Sequence, residues 1–210
     1  MLRDALKAMT KRKILQEGAS YTFRSYFELL NDTDEVLAEF GYRFERQRLQ
    51  LPKTTRQIEH LPELQQQLEE TIPFVTLTSE AAKREILIAP VLTRVAVMCR
   101  CLLRIEYPLK VSEQLQGNLD YFIQSGQGLI VIEAKRDDLT RGFTQLAVEM
   151  IALSMLEESP EVLYGAVTIG EVWVFGKLER RTYTIARDIG SYTLPDDLPE
   201  LVRILVGILE

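Results

Sequence analysis

Residues 118–135 read NLDYFIQSGQGLIVIEAK, two apolar runs on either side of a Ser-Gly-Gln-Gly turn, and no other stretch constrains the chain as tightly. Gly126 followed by Gln127 puts glycine at the first central position of a two-residue loop. That is the signature of a type II′ turn, whose twist suits paired antiparallel strands. Such a loop fixes the register. Ser125 faces Gly128, Ile123 faces Ile130, Phe122 faces Val131, Tyr121 faces Ile132, Asp120 lies opposite Glu133, and Lys135 lies opposite Asn118. Because side chains alternate across a strand, one face collects Leu119, Tyr121, Ile123, Ile130, Ile132 and Ala134, an uncharged set expected in the core. The other collects Asn118, Asp120, Phe122, Val131, Glu133 and Lys135.

Two carboxylates directly opposed in an antiparallel pair have Cβ atoms roughly 4.5 to 5.5 Å apart, and like charges there destabilise the sheet. A positive group is expected between them. Lys135 is one candidate, and a divalent cation, which takes hard carboxylate oxygens and keeps several waters, is the other. A ribbon face open to water would also tolerate both acids, but Phe122 and Val131 beside them point to a covered face.

The remaining sequence supplies the frame. The first 70 residues read as polar helices, RDALKAMTKRKILQ, TFRSYFELL, DTDEVLAEFG and TTRQIEHLPELQQQLEETI. TSEAAKREILIAPVL follows with Thr78 or Ser79 as N-cap and Pro90 as its end or kink. From Leu102 the apolar period shortens, and LLRIEYPLKVS, LQGNLDYFIQ and GLIVIEAK read as three successive strands. TRGFTQLAVEMIALSML is apolar nearly all round and so belongs against a sheet. VLYGAVTI, VWVFGKL and RRTYTIA read as further strands, and DDLPELVRILVGILE as a closing helix with Pro199 near its start. This order predicts a mixed α/β layer structure, with an N-terminal helical extension over 1–70 and an α/β core over 71–210, together one compact domain.

Composition excludes several classes. No apolar run approaches the roughly 18 residues of a membrane span, and charges occupy the N-terminus where a secretory signal needs its apolar stretch, so a cytoplasmic protein without a membrane partner is expected. Two cysteines, Cys99 and Cys101, and one histidine, His60, are too few for a closed Cys/His zinc site or a disulfide framework. Residues 1–60 carry 11 Lys and Arg against 9 Asp and Glu, whereas residues 61–210 carry 14 against 22. A polyanion is therefore expected to prefer the N-terminal part, at KRK (11–13) and YRFERQR (42–48), although short basic runs are commonly solvated faces.

Asp120, twelve intervening residues, then Glu133-Ala134-Lys135 on the following strand resembles the pattern of the PD-(D/E)XK nuclease superfamily, in particular its small bacterial-type members. The resemblance covers about residues 78–175 and departs at the family's first position, where Leu119 stands in place of proline. It implies a restriction endonuclease-like mixed sheet flanked by helices and Mg²⁺-dependent hydrolysis of DNA phosphodiesters, with Mn²⁺ as substitute. Asp120, Glu133 and the Ala134 carbonyl would hold the ion, and Lys135 would orient the attacking water and offset developing charge. Such nucleases often add a carboxylate from the preceding helix and a glutamine from the following one. Gln145 matches the glutamine, and Glu85 or Glu80 the carboxylate. Glu85 shares a helical face with Ala81, Ile88 and Leu92, which favours it as a ligand over Glu80, beside Lys83 and Arg84. DNA is the implied partner. Members that cut both strands often pair, which admits a homodimer. A non-catalytic binding or assembly module on the same fold suits the acidic balance, and an α/β interaction protein without a metal site is the third reading.

Overall fold

The computed structural model describes residues 13–126 and 128–210. The KRK run therefore falls almost wholly outside the described residues, as does Gln127 of the hairpin turn. In chain order the elements are α1 (Phe23–Glu28), α2 (Thr33–Glu39), β1 (Arg43–Gln47), α3 (Leu61–Thr71), α4 (Glu80–Lys83), a π turn (Arg84–Ile88) and α5 (Ala89–Cys99). Then come β2 (Leu102–Ser112), β3 (Leu115–Gln124), β4 (Leu129–Ala134), α6 (Leu139–Ser154), β5 (Val162–Thr168), β6 (Val172–Glu179), β7 (Thr184–Asp188), β8 (Tyr192–Thr193) and α7 (Leu198–Leu209).

The strands form one open mixed sheet in the order β1-β7-β6-β5-β4-β3-β2, with β8 on β6. β4 and β5 run parallel, joined by α6, and so do β1 and β7. Helices cover both faces. On one side Leu87, Val91, Leu92 and Val95 and the apolar face of α7 pack on Tyr121, Ile123, Ile130 and Ile132. On the other, α6 lies against Phe122, Val131 and Val167 beneath α1 and α2. Every residue of α6 from Gly142 to Ser154 is buried, as its all-round apolar character requires. Among the described residues no helix is long and apolar enough to cross a membrane.

The hairpin register follows the turn. Gln124 pairs with Leu129, Ile123 with Ile130, Phe122 with Val131 and Tyr121 with Ile132. Ser125 closes the loop by donating its N–H to the Gly128 carbonyl at 2.9 Å, while its Oγ accepts the Gly128 N–H at 2.8 Å. Gly128 is required by space. A Cβ there would lie 1.8 Å from the carbonyl oxygen of Ile208 on α7.

Both hairpin faces are buried, each in its own core, as Phe122 and Val131 on the acid-bearing face lead one to expect. Three expectations change. Leu119 packs with Phe122 in the α6-side core instead of with Tyr121, since the strand is irregular at Asp120. The segment before residue 71 is not wholly helical: Arg43–Gln47, inside the basic run, is edge strand β1, held by Phe44, whose ring lies 5.9 Å from that of Phe143 on α6. Pro90 neither ends the helix nor simply kinks it. It has no N–H to donate and its ring would press on the carbonyl four residues back. A π turn absorbs the conflict, with the Ala89 N–H reaching back five residues to the Arg84 carbonyl.

Candidate functional site

The β3–β4 pairing described above runs as far as Tyr121 and Ile132, and there a cavity of about 640 Å³ opens. Asp120, Glu133, Lys135 and Gln145 all line it. Asp120 does not sit in a regular ladder position opposite Glu133. Its Oδ2 instead accepts the Ala134 N–H at 2.8 Å. The N–H and C=O of one strand residue face the same neighbour, so the Ala134 carbonyl is turned toward β3 as well. Across β2, Glu106 opposite Asp120 takes a left-handed φ of 52°.

Each acid has a cation beside it. Arg84, from the π turn, donates to Asp120 Oδ1 at 3.4 Å, to Glu106 Oε1 at 2.7 Å and to the Tyr121 hydroxyl at 3.3 Å. Lys135 forms an ion pair with Glu133, and its ammonium stands 4.9 Å from the centre of the Phe27 ring. The stem of Lys135 crosses Gly142 of α6, where a Cβ would come within 2.8 Å of Lys135 Cγ.

A further acid, Glu149, stands behind the cavity on α6, fully buried. Gln145, one turn earlier, donates its Nε2 to Glu149 Oε1 at 2.9 Å. Burial raises the pKa of Glu133 well above the carboxylate range, and the charges of Glu149 and Asp120 raise it further. Glu149 is pushed up to about 8 by burial, against the pull of Glu133 and Gln145 beside it. Burial also raises Asp120, outweighing the Ala134 N–H, Arg84 and Lys135. For Lys135 burial acts downward, but Glu133, Asp120 and Glu149 outweigh it and the pKa rises.

A buried acceptor is left over. Glu133 has the Lys135 ammonium on one side and shares a hydrogen bond with the Glu149 carboxyl on the other, while Gln145 Oε1 has no hydrogen-bond partner. Buried carboxylates are paired or coordinate metals, and this cluster fits a cation. No three of His, Cys, Asp and Glu among the described residues are spaced as a ready cage. Mg²⁺ needs none, since it binds through one or two carboxylates and keeps several waters.

The structure does not bring Glu85 to these groups. Glu85 and Ala81 are exposed, and the buried stripe begins at Leu87 because the π turn resets the helical face. Glu85 borders a neighbouring hollow with Glu106 and Tyr121, whereas Glu80 lines both that hollow and the main cavity. Gln145, 5% exposed, is an inward-facing amide. Arg84, Glu149 and Phe27 escape the pattern reading. Glu149 had a signal, a lone acid inside the apolar run LAVEMIAL, where an unpaired carboxylate is rarely buried. Arg84 and Phe27 had none. The cysteines stand apart from the site, and burial pushes the Cys99 thiol up to about 11, which makes it a poor nucleophile. His60 pairs with Glu63 at the exposed start of α3. No family model matches the chain, and no curated protein sequence matches it.

Proposed function

We propose that the protein is a metal-dependent nuclease of restriction endonuclease-like fold that hydrolyses DNA phosphodiester bonds. The observation that carries this reading is the convergence of Asp120, Glu133, Lys135 and Gln145 on one cavity at the open end of the β3–β4 hairpin. Asp120, Glu133 and the Ala134 carbonyl would hold Mg²⁺ or Mn²⁺, with Glu80 the acid facing the cavity from the helix side. A bound divalent ion lowers the pKa of a water and offsets charge on the phosphate.

The remaining work falls to side chains. Lys135 supplies an ammonium with three donors, suited to orient the attacking water and to stabilise the extra negative charge on the phosphate oxygens. Gln145, held by Glu149, lines the same cavity and carries a buried Oε1 acceptor without a hydrogen-bond partner. Water adds to phosphorus, the phosphorus–oxygen ester bond breaks, and the products are a phosphate monoester and a free hydroxyl.

A second reading has its own support. Arg84 on Asp120 and Lys135 on Glu133 give each acid an internal counter-ion, as a non-catalytic binding or assembly module would need. Incubation of supercoiled plasmid and labelled oligonucleotides with Mg²⁺, Mn²⁺ or EDTA separates the two. Cleavage that appears with metal and stops with EDTA and in Asp120→Asn is the expected result. A protein that binds DNA without cutting it under every metal condition is the module.

A further inference from the structure

We propose that Phe27 is a positioning residue for Lys135: the face of its ring, carried on α1, holds the ammonium in place among the carboxylates of the cavity. The inference rests on the hydrolytic reading for its catalytic consequence, but not for the contact itself. A lysine stem is long and flexible, with about 2 kcal/mol of rotamer entropy to lose. A lysine that must face developing charge needs more than one restraint. Glu133 supplies one through the ion pair, and the bare Cα of Gly142 supplies a track for the stem. The Phe27 ring, 4.9 Å from Nζ, supplies the third.

The ring acts differently from a carboxylate. Its negative face attracts the cation without taking a particular N–H, so donors remain for substrate. Arg141 also stands near the ring, at 5.5 Å, but its Nε is committed to Asp138 Oδ2 at 2.7 Å. The platform itself is anchored. Phe23 and Tyr26 of α1 are buried, the Tyr26 hydroxyl donates to the Gln114 carbonyl at 2.7 Å, and Phe23 fills the space beside Gly117 at the start of β3. The N-terminal segment thereby forms a wall of the site, with Thr22 and Arg24 beside Phe27.

The test follows the Lys135 side chain directly. In protein labelled with ¹³C-lysine, the Lys135 ε-methylene signal, assigned through Lys135→Arg, should be displaced upfield by the ring. That displacement should persist in Phe27→Tyr and vanish in Phe27→Leu. With Mn²⁺ and DNA, Phe27→Leu should lower kcat about tenfold with KM unchanged, and Phe27→Tyr should restore it. Should Phe27→Leu not fold, a trifluorinated phenylalanine at position 27 keeps the ring's shape while cancelling its negative face, and kcat should fall as for leucine. A Lys135 signal that is undisplaced, or that ignores Phe27→Leu, overturns the proposal. A displaced signal in a wild-type protein that cuts no DNA upholds the contact and overturns the hydrolytic reading. An active enzyme whose kcat ignores the loss of the ring overturns the positioning role and leaves hydrolysis standing.

Discussion

Replacing Glu149 with glutamine should flatten the dependence of stability on pH. Glu149 is fully buried on α6 and is influenced by Glu133 of β4, Lys135 just after it, Asp120 of β3 and Gln145 of its own helix. Its pKa is pushed up to about 8 from the ordinary 4.5, which means the folded protein holds that proton more tightly than the unfolded chain does. The stability this contributes is fully present below about pH 4.5 and is lost as pH rises through about 8. Each tenfold change in proton affinity is worth about 1.4 kcal/mol, so the loss across this window is on the order of several kcal/mol. Glu133, also raised, adds loss in the same direction.

Other groups do not obscure the effect. Asp138, Glu63, Glu113 and Glu179 have lowered pKa values, so their contributions are complete before pH 5. Lys135 is raised above 10.5 and stays charged throughout. For a chain of this size one kcal/mol shifts Tm by roughly 2 to 4 °C, so wild type should lose on the order of 10 °C between pH 5 and pH 9 in EDTA. Glu149→Gln keeps the shape and an acceptor for Gln145 and carries no proton to lose. It should match wild type at pH 5, exceed it at pH 9, and retain only the part of the slope due to Glu133 and Asp120, both also raised. Thermal melts by circular dichroism across that range decide it. Parallel curves for the two proteins, or a wild type more stable at pH 9 than at pH 5, would refute the burial argument.

Mn²⁺ at millimolar concentration should raise the Tm of wild type, because an ion bound only by the folded state stabilises it, and Asp120→Asn should abolish most of the rise. Lys135→Ala should keep that rise while cleavage slows by about 10² to 10³; equal rates would reduce the lysine to a structural charge. Glu80→Gln should weaken the Mn²⁺ response and Glu85→Gln should not, since only Glu80 borders the main cavity; the opposite result in the same melts would restore the periodicity assignment. Gly142→Ala gains about 1 kcal/mol of helix propensity, but its Cβ would lie 2.8 Å from both Lys135 Cγ and buried Val167 Cγ2. Overpacking of roughly 1 to 3 kcal/mol should win, giving a lower Tm and slower cleavage.

What could be read in advance was what depends on neighbours in sequence. The hairpin register follows from loop length, and α6 from an apolar run too long and too uniform for a strand. β1 was hidden because five residues, Arg43–Gln47, offer one apolar anchor, Phe44, and pairing with β7 is a contact across about 140 residues of chain. A steady 3.6-residue period puts Glu85 in the buried stripe, whereas the π turn at Arg84–Ile88 starts that stripe at Leu87 and leaves Glu85 exposed. The cavity wall from α1 was not legible at all, since nothing local in TFRSYFELL distinguishes a ring that will meet Lys135 from one that will meet the core.

The irregularity at Asp120 explains why a site exists here. Had the ladder continued, Asp120 and Glu133 would face each other at contact distance and one counter-ion would serve both. Instead Glu106 adopts a left-handed backbone across β2, and the Asp120 carboxylate satisfies the Ala134 N–H that a regular ladder would have engaged. The two acids are thereby divided between two neighbourhoods. Asp120 spends its oxygens on Ala134 and Arg84, while Glu133, Glu149 and Gln145 gather on the β4–α6 side, where Gln145 Oε1 lacks a hydrogen-bond partner. On the proposed reading, a cation at Glu133 would have to draw Asp120 away from Arg84, whose bonds to Glu106 and Tyr121 would keep the guanidinium in place once Asp120 was taken.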